Sequence, residues 1–204
     1  MDLILKTATT GLNSSDVILE LAICDRNYKT LFNERFKPLR KRSWKEAERI
    51  HGISYQDVKK CCRFKDRVEE IKSILRNNRV IIFNTDFDAR LLEQTCKVEV
   101  VDHSWVDELE MLCCMAVAGG AYKNYANYYG GIRSDVALRL AIQENKSLNL
   151  EQPESLENYR DYSAMTGCVR TAFIFNVIIE EHERRWAKRI AEYKAKHGED
   201  SLKL

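Results

Sequence analysis

The sequence predicts an α/β domain built on a mixed five-stranded sheet, an antiparallel meander plus parallel strands, flanked by helices. Three strand-length apolar segments near the amino terminus predict the meander, and later strands alternate with helical segments. A meander followed by strand–helix alternation is typical of a mixed sheet with helices on its faces. The 204 residues, 45% of them hydrophobic, suit one such domain with a substantial core, with or without an appendage.

The five strands are assigned from apolar runs and the turns that bound them. The first run ends at the Thr9-Thr10-Gly11 turn, and Arg26-Asn27 supplies the turn between the second and third strands. The later strands are short apolar runs between helical segments. The predicted strands are residues 3–5, 17–25, 29–36, 79–83 and 98–101.

The helices are assigned from apolar residues at helical spacing. In the segment 64–75, for example, Val68, Ile71, Ile74 and Leu75 form one apolar stripe. A basic loop is predicted at residues 37–42, between the third strand and the first helix, and a polar loop at residues 146–159, before the last helix. The predicted helices are residues 44–50, 64–75, 86–96, 107–118, 135–144 and a long one from 162 towards 196.

Composition excludes several classes of protein. The net charge of +2 does not by itself indicate a nucleic-acid-binding protein. Seven cysteines without a Cys-x-x-Cys pair fit neither a disulfide framework nor a zinc site, so a reducing cytoplasm is expected. No secretory leader follows Met1, and no apolar run is long enough to cross a bilayer, so no membrane association is expected.

The end of the chain changes character near Glu183, where the last predicted helix becomes strongly charged. Residues 1–182 are therefore expected to form the domain, and residues 183–204 a basic amphipathic helical extension. Trp186, Ile190 and Tyr193 share one face of this extension, among six basic residues. The stripe could dock a protein partner, a second copy or nucleic acid, or it could simply pack on the domain.

Four segments of the chain, in order and at suitable spacing, resemble the DEDD (DnaQ-like) 3′–5′ exonuclease superfamily. Residues 3–12 match its strand-Asp-x-Glu-Thr-Thr-Gly-Leu motif, and residues 80–88 match strand-His-Asn-x-x-Phe-Asp. Residues 162–171 are similar to its helical His-x-Ala-x-x-Asp motif, and residues 47–53 to its Ala-x-x-Ile-His-Gly-Ile linker. The resemblance covers roughly residues 1–180 and implies an RNase H-like fold.

The resemblance also implies which residues would carry catalysis. Members of that superfamily hydrolyse a terminal phosphodiester with two divalent metals held by four carboxylates, and a histidine is the general base. The carboxylate positions are Lys6, Ala8, Asp88 and Gly167 here, and the base position is Tyr162. The formal charge of the four positions is therefore zero instead of −4, so we expect no metal cofactor and no hydrolysis.

The surviving carboxylate needs a partner if it is buried, because an isolated buried charge is costly. We expect an ion pair between Lys6 and Asp88 in place of the metals, with Lys6 extended into solvent as the alternative. Other acids do not offer a substitute site. Asp86 is expected to cap its helix, Asp161 to point away, and Asp107 and Glu108 to lie on another element.

The residues that hold the substrate in the resembling family are better kept than the metal ligands. They are Thr9, Thr10, Gly11, Leu12, Asn84 and Phe87. Lys6, which replaces a metal-ligating aspartate, is expected to contact a phosphate directly. Retained binding and retained folding explain them about equally well, and Phe83 replaces the family's histidine before Asn84. Stacking of bases on Tyr122, Tyr125, Tyr128 and Tyr129 is also conceivable, although ordinary packing of a loop is favoured.

The predicted function is thus an exonuclease-fold protein that has lost catalysis and binds a single strand or a 3′ end without metal. The alternative is a protein-interaction or regulatory module on the same scaffold. A third possibility is an active 3′–5′ exonuclease with relocated metal ligands.

Overall fold

The sheet has five strands in the order β3-β2-β1-β4-β5, in a computed structural model that describes residues 1–156 and 162–197. β1 pairs antiparallel with β2, and β2 antiparallel with β3, which confirms the predicted meander. β4 and β5 are parallel to β1, so the mixed sheet is confirmed as well. The strands are β1 (Asp2–Thr9), β2 (Ile18–Asp25), β3 (Thr30–Arg35), β4 (Arg79–Ile82) and β5 (Glu110–Cys113).

Seven α-helices lie in the described residues and cover both faces of the sheet. They are α1 (Lys45–His51), α2 (Tyr55–Val58), α3 (Val68–Leu75), α4 (Thr85–Glu99), α5 (Cys114–Ala121), α6 (Ser134–Leu148) and α7 (Ala164–His197). Side chains of β1 alternate between the two layers, since Ile4 packs towards α5, α6 and α7, while Leu3 and Leu5 pack towards α3 and α4. β1 is consequently buried on both faces at the centre of the molecule.

The fifth strand lies elsewhere than predicted. Residues 98–101 are not a strand: α4 continues to Glu99, and Val100 ends it in the left-handed region with φ 57°. The strand is instead Glu110–Cys113, inside the segment 107–118 that was predicted as a helix. Only the second part of that segment is helical, because α5 begins at Cys114 directly after β5.

The last helix is longer than any other and passes the predicted boundary without interruption. α7 runs from Ala164 to His197, so Glu183 lies within a continuous helix. The loop predicted from residue 146 begins later, because α6 extends to Leu148. Residues 157–161, with Asp161, and residues 198–204 of the expected extension lie outside the described part of the chain. None of the helices in the described part is long and apolar enough to cross a membrane.

The carboxyl ends of β1 and β4 meet at one edge of the sheet, where the chain enters α4 and α7 begins. Open α/β sheets bind ligands at the carboxyl ends of their parallel strands. The residues singled out by the sequence motifs are brought together at this edge.

Candidate functional site

Asp88 is fully buried in the first turn of α4 and is held by β1. The Lys6 ammonium donates to both carboxylate oxygens, with Nζ 2.9 Å from Oδ1 and 3.0 Å from Oδ2. Thr7 adds its backbone N–H at 3.0 Å and its hydroxyl at 2.7 Å, both to Oδ1. The predicted Lys6–Asp88 ion pair is confirmed, and the alternative of a solvent-extended Lys6 is wrong. Both oxygens of Asp88 are occupied by donors from β1.

Gly167 supplies the space in which the Lys6 side chain lies. A Cβ added at Gly167 would stand 2.7 Å from Lys6 Cγ and 3.3 Å from Cδ. Real Cβ contacts are not that short, and Cγ is near the backbone where the side chain has little freedom to move. The residues at two carboxylate positions of the resembling family are therefore coupled: lysine at 6 in this conformation requires glycine at 167.

The third altered carboxylate position, Ala8, has become part of a small apolar core. Ala8 is buried and packs with Leu19, Trp44, Ile53 and Val58. In residues 1–156 and 162–197, no group of three or more His, Cys, Asp or Glu side chains is placed to hold a metal ion. The donor set at the site is one carboxylate already bonded to an ammonium, which does not fit the several oxygen ligands that a hard divalent cation requires.

The Thr9–Leu12 turn after β1 is fixed by a buried carboxylate. Asp16 is fully buried and accepts hydrogen bonds from the Thr10 hydroxyl at 2.7 Å, from the Asn13 backbone N–H at 2.8 Å and from the Lys41 ammonium. Although burial acts to raise the pKa of Asp16, the hydrogen bonds from Lys41, Thr10 and Asn13 lower it below its usual value. Gly11 is required here, because an added Cβ would lie 2.5 Å from Asp16 Oδ2. The backbone φ of Gly11 is 149°, which residues with a side chain rarely adopt.

His51, from the linker motif, ties the end of α1 to the end of β1. Its Nε2 lies 3.0 Å from the Thr9 carbonyl oxygen, and the Ile53 N–H donates to its Nδ1 at 3.0 Å. Since Nδ1 is the acceptor, Nε2 carries the proton and the ring is neutral. Burial lowers the pKa of His51 below its ordinary value. The linker therefore holds the Thr9–Leu12 turn in place.

Two cavities open on either side of the Lys6 side chain. One, of about 630 Å³, lies between the Thr9–Leu12 turn and α1, and the other, of about 420 Å³, lies between α4, α6 and the start of α7. Both are lined by Lys6, Thr7, Phe87 and Tyr162. Tyr162, at the general-base position, is 54% exposed, so it forms an accessible aromatic wall between them. We call the two cavities together the cleft.

Three cations lie beside aromatic rings that line the cleft. Lys6 Nζ lies 5.3 Å and Arg90 Cζ 5.7 Å from the centre of the Phe87 ring, and Arg170 Cζ lies 5.9 Å from that of Tyr162. Arg90 also donates to the Leu12 carbonyl oxygen at 3.3 Å, while the Leu12 side chain is 73% exposed. The aromatic rings of such a wall can stack on planar rings of a ligand, and its guanidinium groups attract negative charge beside those rings.

The remaining motif residues have structural positions that differ in part from those expected. Asn84 precedes α4 as its N-cap and lines the second cavity, whereas Asp86, expected to be the cap, is exposed in the first turn. Phe83, in place of the family's histidine, packs in the core with Ile81. Thr9 is buried and its hydroxyl donates to the Gly11 carbonyl oxygen at 2.9 Å, so it stabilises the turn.

Several residues of the site were not found from the sequence. Thr7 bonds Asp88, Asp16 and Lys41 fix the turn, and Glu20 accepts the backbone N–H of Ala164 at 2.6 Å, so it caps α7. A signal existed for Glu20, because a charged residue within an otherwise apolar strand needs a specific partner. No comparable signal marked Asp16 or Lys41, since polar residues are ordinary in loops.

Comparison with known proteins decides the family of the chain. The profile of the RNase T exonuclease family matches residues 7–145. The chain belongs to this exonuclease family. It is also 34% identical over 92 residues to the uncharacterized exonuclease CP81 of Escherichia phage 186, and the match covers 45% of the chain and 47% of that relative. The chain thus matches only about half the length of this curated relative.

Solved exonuclease structures share the fold of this family member. Exonuclease X, solved in complex with 5′-overhanging duplex DNA, superposes with a TM-score of 0.57 at 20% identity over 87% of the chain and 91% of its own length. Cell-death related nuclease 4 gives 0.61 at 15% identity over 88% of the chain and 64% of its own length. The E. coli ExoI–ssDNA complex superposes with a TM-score of 0.60 at 15% identity, over 95% of the chain and 43% of its own length. The RNase H-like exonuclease fold implied by the motifs is confirmed.

Proposed function

We propose that this exonuclease-family chain binds the end of a single-stranded nucleic acid in the cleft and does not hydrolyse it. The observation that carries the proposal is the Lys6–Asp88 ion pair, with Nζ 2.9 and 3.0 Å from the two carboxylate oxygens. Lys6 stands at a position where the family resemblance implies a metal-ligating aspartate. A cation of the protein itself thereby takes the place that the family's chemistry assigns to a metal.

The electrostatics of the site support loss of the metal-dependent reaction. A divalent cation at Asp88 would have to displace the Lys6 ammonium and the two Thr7 donors. Among the described residues, no group of three or more His, Cys, Asp or Glu side chains is placed to bind the cation instead. Tyr162 does not replace the general base, because a phenol has no ring nitrogen with which to accept a proton as the imidazole of histidine does. Without metal or base, neither activation of water nor stabilisation of the leaving oxygen has a source.

The same site is suited to bind a nucleic acid without metal. Four carboxylates would repel a phosphate, whereas the positions Lys6, Ala8, Asp88 and Gly167 carry no net charge. The bonds to Asp88 use two of the three ammonium protons of Lys6, which leaves one for a phosphate oxygen. Leu12, Phe87 and Tyr162 offer surfaces on which bases can stack. Thr9, Thr10, Gly11 and Asn84 shape the walls.

Binding by the cleft is tested with a fluorescent oligothymidylate of about four nucleotides, at the short end of known single-strand site sizes. Fluorescence anisotropy in EDTA is expected to show binding that weakens as salt rises, since phosphate contacts release counterions. Tyr162→Ala is expected to weaken it about tenfold through lost stacking, and Tyr162→Phe to keep it. Arg76→Ala, an exposed arginine beside a different cavity, is the matched control. Equal binding by Tyr162→Ala and the native chain would contradict the role of the cleft.

Hydrolysis is tested on the same oligonucleotide with Mn²⁺ in place of EDTA. We expect the oligonucleotide to keep its full length on a denaturing gel. Release of nucleotides that Asp88→Ala abolishes would establish the third possibility, a nuclease with relocated ligands, and contradict loss of catalysis.

A second candidate function is protein interaction through the end of α7. It is favoured by one observation: Trp186 is 58% exposed, so the stripe with Ile190 and Tyr193 does not bury its largest ring on the domain. Residues 183–204 would then act as an extension separate from the domain of residues 1–182. Co-sedimentation with a partner that Trp186→Ala abolishes would support this function.

The cytoplasm remains the proposed compartment. All seven cysteines are free thiols in the structure. Free thiols persist where the glutathione and thioredoxin systems keep the surroundings reducing.

A further inference from the structure

A strongly basic stretch of chain connects β3 to α1 and reaches the rim of the cleft. Residues 37–45, which we call the basic segment, contain five cations and no acid. The last part of the segment, with Lys41, Trp44 and Lys45, lines the same cavity of about 630 Å³ that Lys6 lines. The end binding proposed for the cleft uses Lys6 and the cleft walls, and it leaves the cations of the basic segment without a role.

The basic segment is anchored at three points, so its cations have a defined position beside the cleft. Pro38 and Trp44 are buried, and the Trp44 indole N–H donates to a backbone carbonyl oxygen at 2.6 Å. Lys41 turns inward, where its ammonium donates to the buried Asp16 carboxylate and lies 3.3 Å from the Thr10 carbonyl oxygen. Lys41 is thereby neutralised, and it ties the segment to the turn after β1.

Three other cations of the basic segment face solvent without a carboxylate partner. Arg40, Arg42 and Lys45 are exposed, and none of them forms an ion pair within the described part of the chain. Arg42 Cζ lies 5.8 Å from the centre of the Tyr55 ring, which in turn packs edge-on against Trp44 at 6.3 Å. These ring contacts hold the Arg42 guanidinium next to a residue of the cavity wall, with its N–H groups available to a ligand.

Acids near the basic segment offset part of its charge. Ion pairs with basic residues already neutralise three of these acids, which are Asp16, Glu20 and Glu34. Two more, Glu46 and Glu48, lie in α1, where Arg49 offsets one of them. With Lys41 counted as paired, the other four cations of the segment exceed the remaining acid, and the net formal charge is +3. The rim is therefore cationic after every neighbouring acid is counted.

The position of the basic segment favours a ligand with several negative charges along its length. Lys41 contacts Thr10, four residues beyond Lys6, so the segment meets the cleft about 13 Å along an extended backbone from Lys6. A nucleic acid strand held at Lys6 by its end has further phosphates at such distances, and arginine pairs with phosphate through a planar fork of N–H groups. An acidic peptide would match these cations, but it lacks bases to stack on Phe87 and Tyr162.

We propose that the basic segment binds the backbone phosphates of a single strand whose end lies in the cleft. This contact rests on the end binding proposed for the cleft, and it makes the affinity depend on strand length. A strand must extend beyond the cavity before its phosphates reach Arg40, Arg42 and Lys45. DNA and RNA share this phosphate chemistry, so both are used as probes.

Strand length is the variable that tests the contact. Fluorescence anisotropy in EDTA compares thymidine or uridine oligonucleotides of about four and about 12 nucleotides, both within known single-strand site sizes. We expect the native chain to bind the longer oligonucleotide about tenfold more tightly. The longer one should also show the steeper salt dependence, because more phosphates are contacted.

Variants assign the length dependence to the basic segment. Arg40→Ala combined with Arg42→Ala is expected to reduce the tenfold preference to about twofold, and to lower the salt slope of the longer oligonucleotide by about 1.4, at about 0.7 per phosphate contact. Arg40→Lys combined with Arg42→Lys keeps both charges and is expected to keep the slope. Lys29→Ala combined with Arg76→Ala removes two exposed cations at the opposite edge of the sheet, and as the matched control it should leave both quantities unchanged.

Two outcomes would overturn the role of the basic segment alone. One is an equal preference for the longer oligonucleotide in the native chain and the double alanine variant. The other is displacement of that oligonucleotide by a glutamate peptide of equal charge as readily as by unlabelled oligonucleotide, which would assign the segment to an acidic protein partner.

The same measurements separate this contact from the end binding in the cleft. If the length preference depends on Arg40 and Arg42 while Tyr162→Ala binds as the native chain does, the segment contact stands and the end binding fails. If Tyr162→Ala weakens binding and both lengths bind equally, the end binding stands and the segment contact fails.

Discussion

Asp88 and Lys6 form the pair on which the site depends. Asp88 is completely buried, and the Lys6 side chain is 27% exposed, so the pair is screened little by solvent. Removing one member of a buried pair leaves the other without compensation, which costs more than the pair itself contributes. The same carboxylate would serve as a metal ligand if other acids surrounded it, so its role is decided by its neighbours.

Lys6→Ala is expected to lower the free energy of unfolding by about 3 kcal/mol, since Asp88 would keep only the Thr7 donors. Urea denaturation near neutral pH measures the change. Lys6→Met combined with Asp88→Asn removes both charges with similar volumes and is expected to recover most of the loss. If the single variant were as stable as the native chain, the pair would not be buried as described.

Gly167→Ala is expected to destabilise the chain by about 1–3 kcal/mol, because the added Cβ collides with Lys6 Cγ. The sign is informative, since alanine normally favours a helix over glycine by about 1 kcal/mol. Gly120→Ala in α5 meets no atom within 4 Å and is the matched control, expected to be neutral or stabilising. Gly167→Ala is expected to remain destabilising in the Lys6→Met, Asp88→Asn variant, because methionine also has a Cγ. In the Lys6→Ala variant, which has no Cγ, Gly167→Ala is expected to cause no loss of stability. A stabilising Gly167→Ala in the native chain would contradict the coupling.

At the scale of elements, the linker between β3 and α3 forms one wall of the cleft and stabilises the Thr9–Leu12 turn. α1 ends at His51, whose ring bridges the Thr9 carbonyl and the Ile53 N–H, and Trp44 Nε1 donates to the Ile53 carbonyl at 2.6 Å. The Thr9 carbonyl oxygen thereby accepts one hydrogen bond from a neutral imidazole. Protonation of that imidazole would leave Nδ1–H facing the Ile53 N–H.

Acidification is expected to destabilise the chain through His51. Its pKa is lowered by burial in the folded state, so the unfolded chain binds a proton more readily. The contribution of His51 is complete above the unfolded pKa of about 6.5 and is lost as the pH falls towards the lower folded value. Unfolding free energies between about pH 7.5 and 5.5 measure it. His51→Gln should flatten this dependence, and His182→Gln on exposed α7 should not; equal slopes for both would refute the assignment.

Truncation after His182 is expected to change the stability of the remaining domain by less than about 1 kcal/mol. The described extension is largely exposed, and its contact with α6 is the ion pair of Arg185 with Glu144, both near the surface. Thermal unfolding of residues 1–182 and of the full chain provides the comparison. A large loss of stability would show that the extension belongs to the domain and contradict the proposed boundary.

The strands and helices with strong periodicity were predictable, and the last strand was not. Three of the four residues of Glu110–Cys113, which are Glu, Met and Leu, favour helices, and parallel pairing with β4 makes the segment a strand. Val98 and Val101 are β-branched, which suggested a strand where α4 in fact ends. At the site, motif order located Lys6, Asp88 and Gly167, but their mutual contact depends on a tertiary arrangement that local sequence does not contain.

At the scale of the whole molecule, the family fold is intact, and an ion pair lies where the family resemblance implies a metal site. The sheet, the linker and the Thr9–Leu12 turn keep the cleft open, with cavities of about 630 and 420 Å³ beside Lys6. The chain thus has the fold of its family, with the Lys6–Asp88 ion pair at the carboxyl ends of β1 and β4.

The most direct test of the central claim is a crystal structure of the native chain grown with Mn²⁺, with anomalous data to locate the metal. We expect no manganese at Asp88, with Lys6 Nζ still about 3 Å from both carboxylate oxygens, as in a charge-assisted hydrogen bond. Manganese bound to Asp88, with the Lys6 side chain displaced towards solvent, would contradict it.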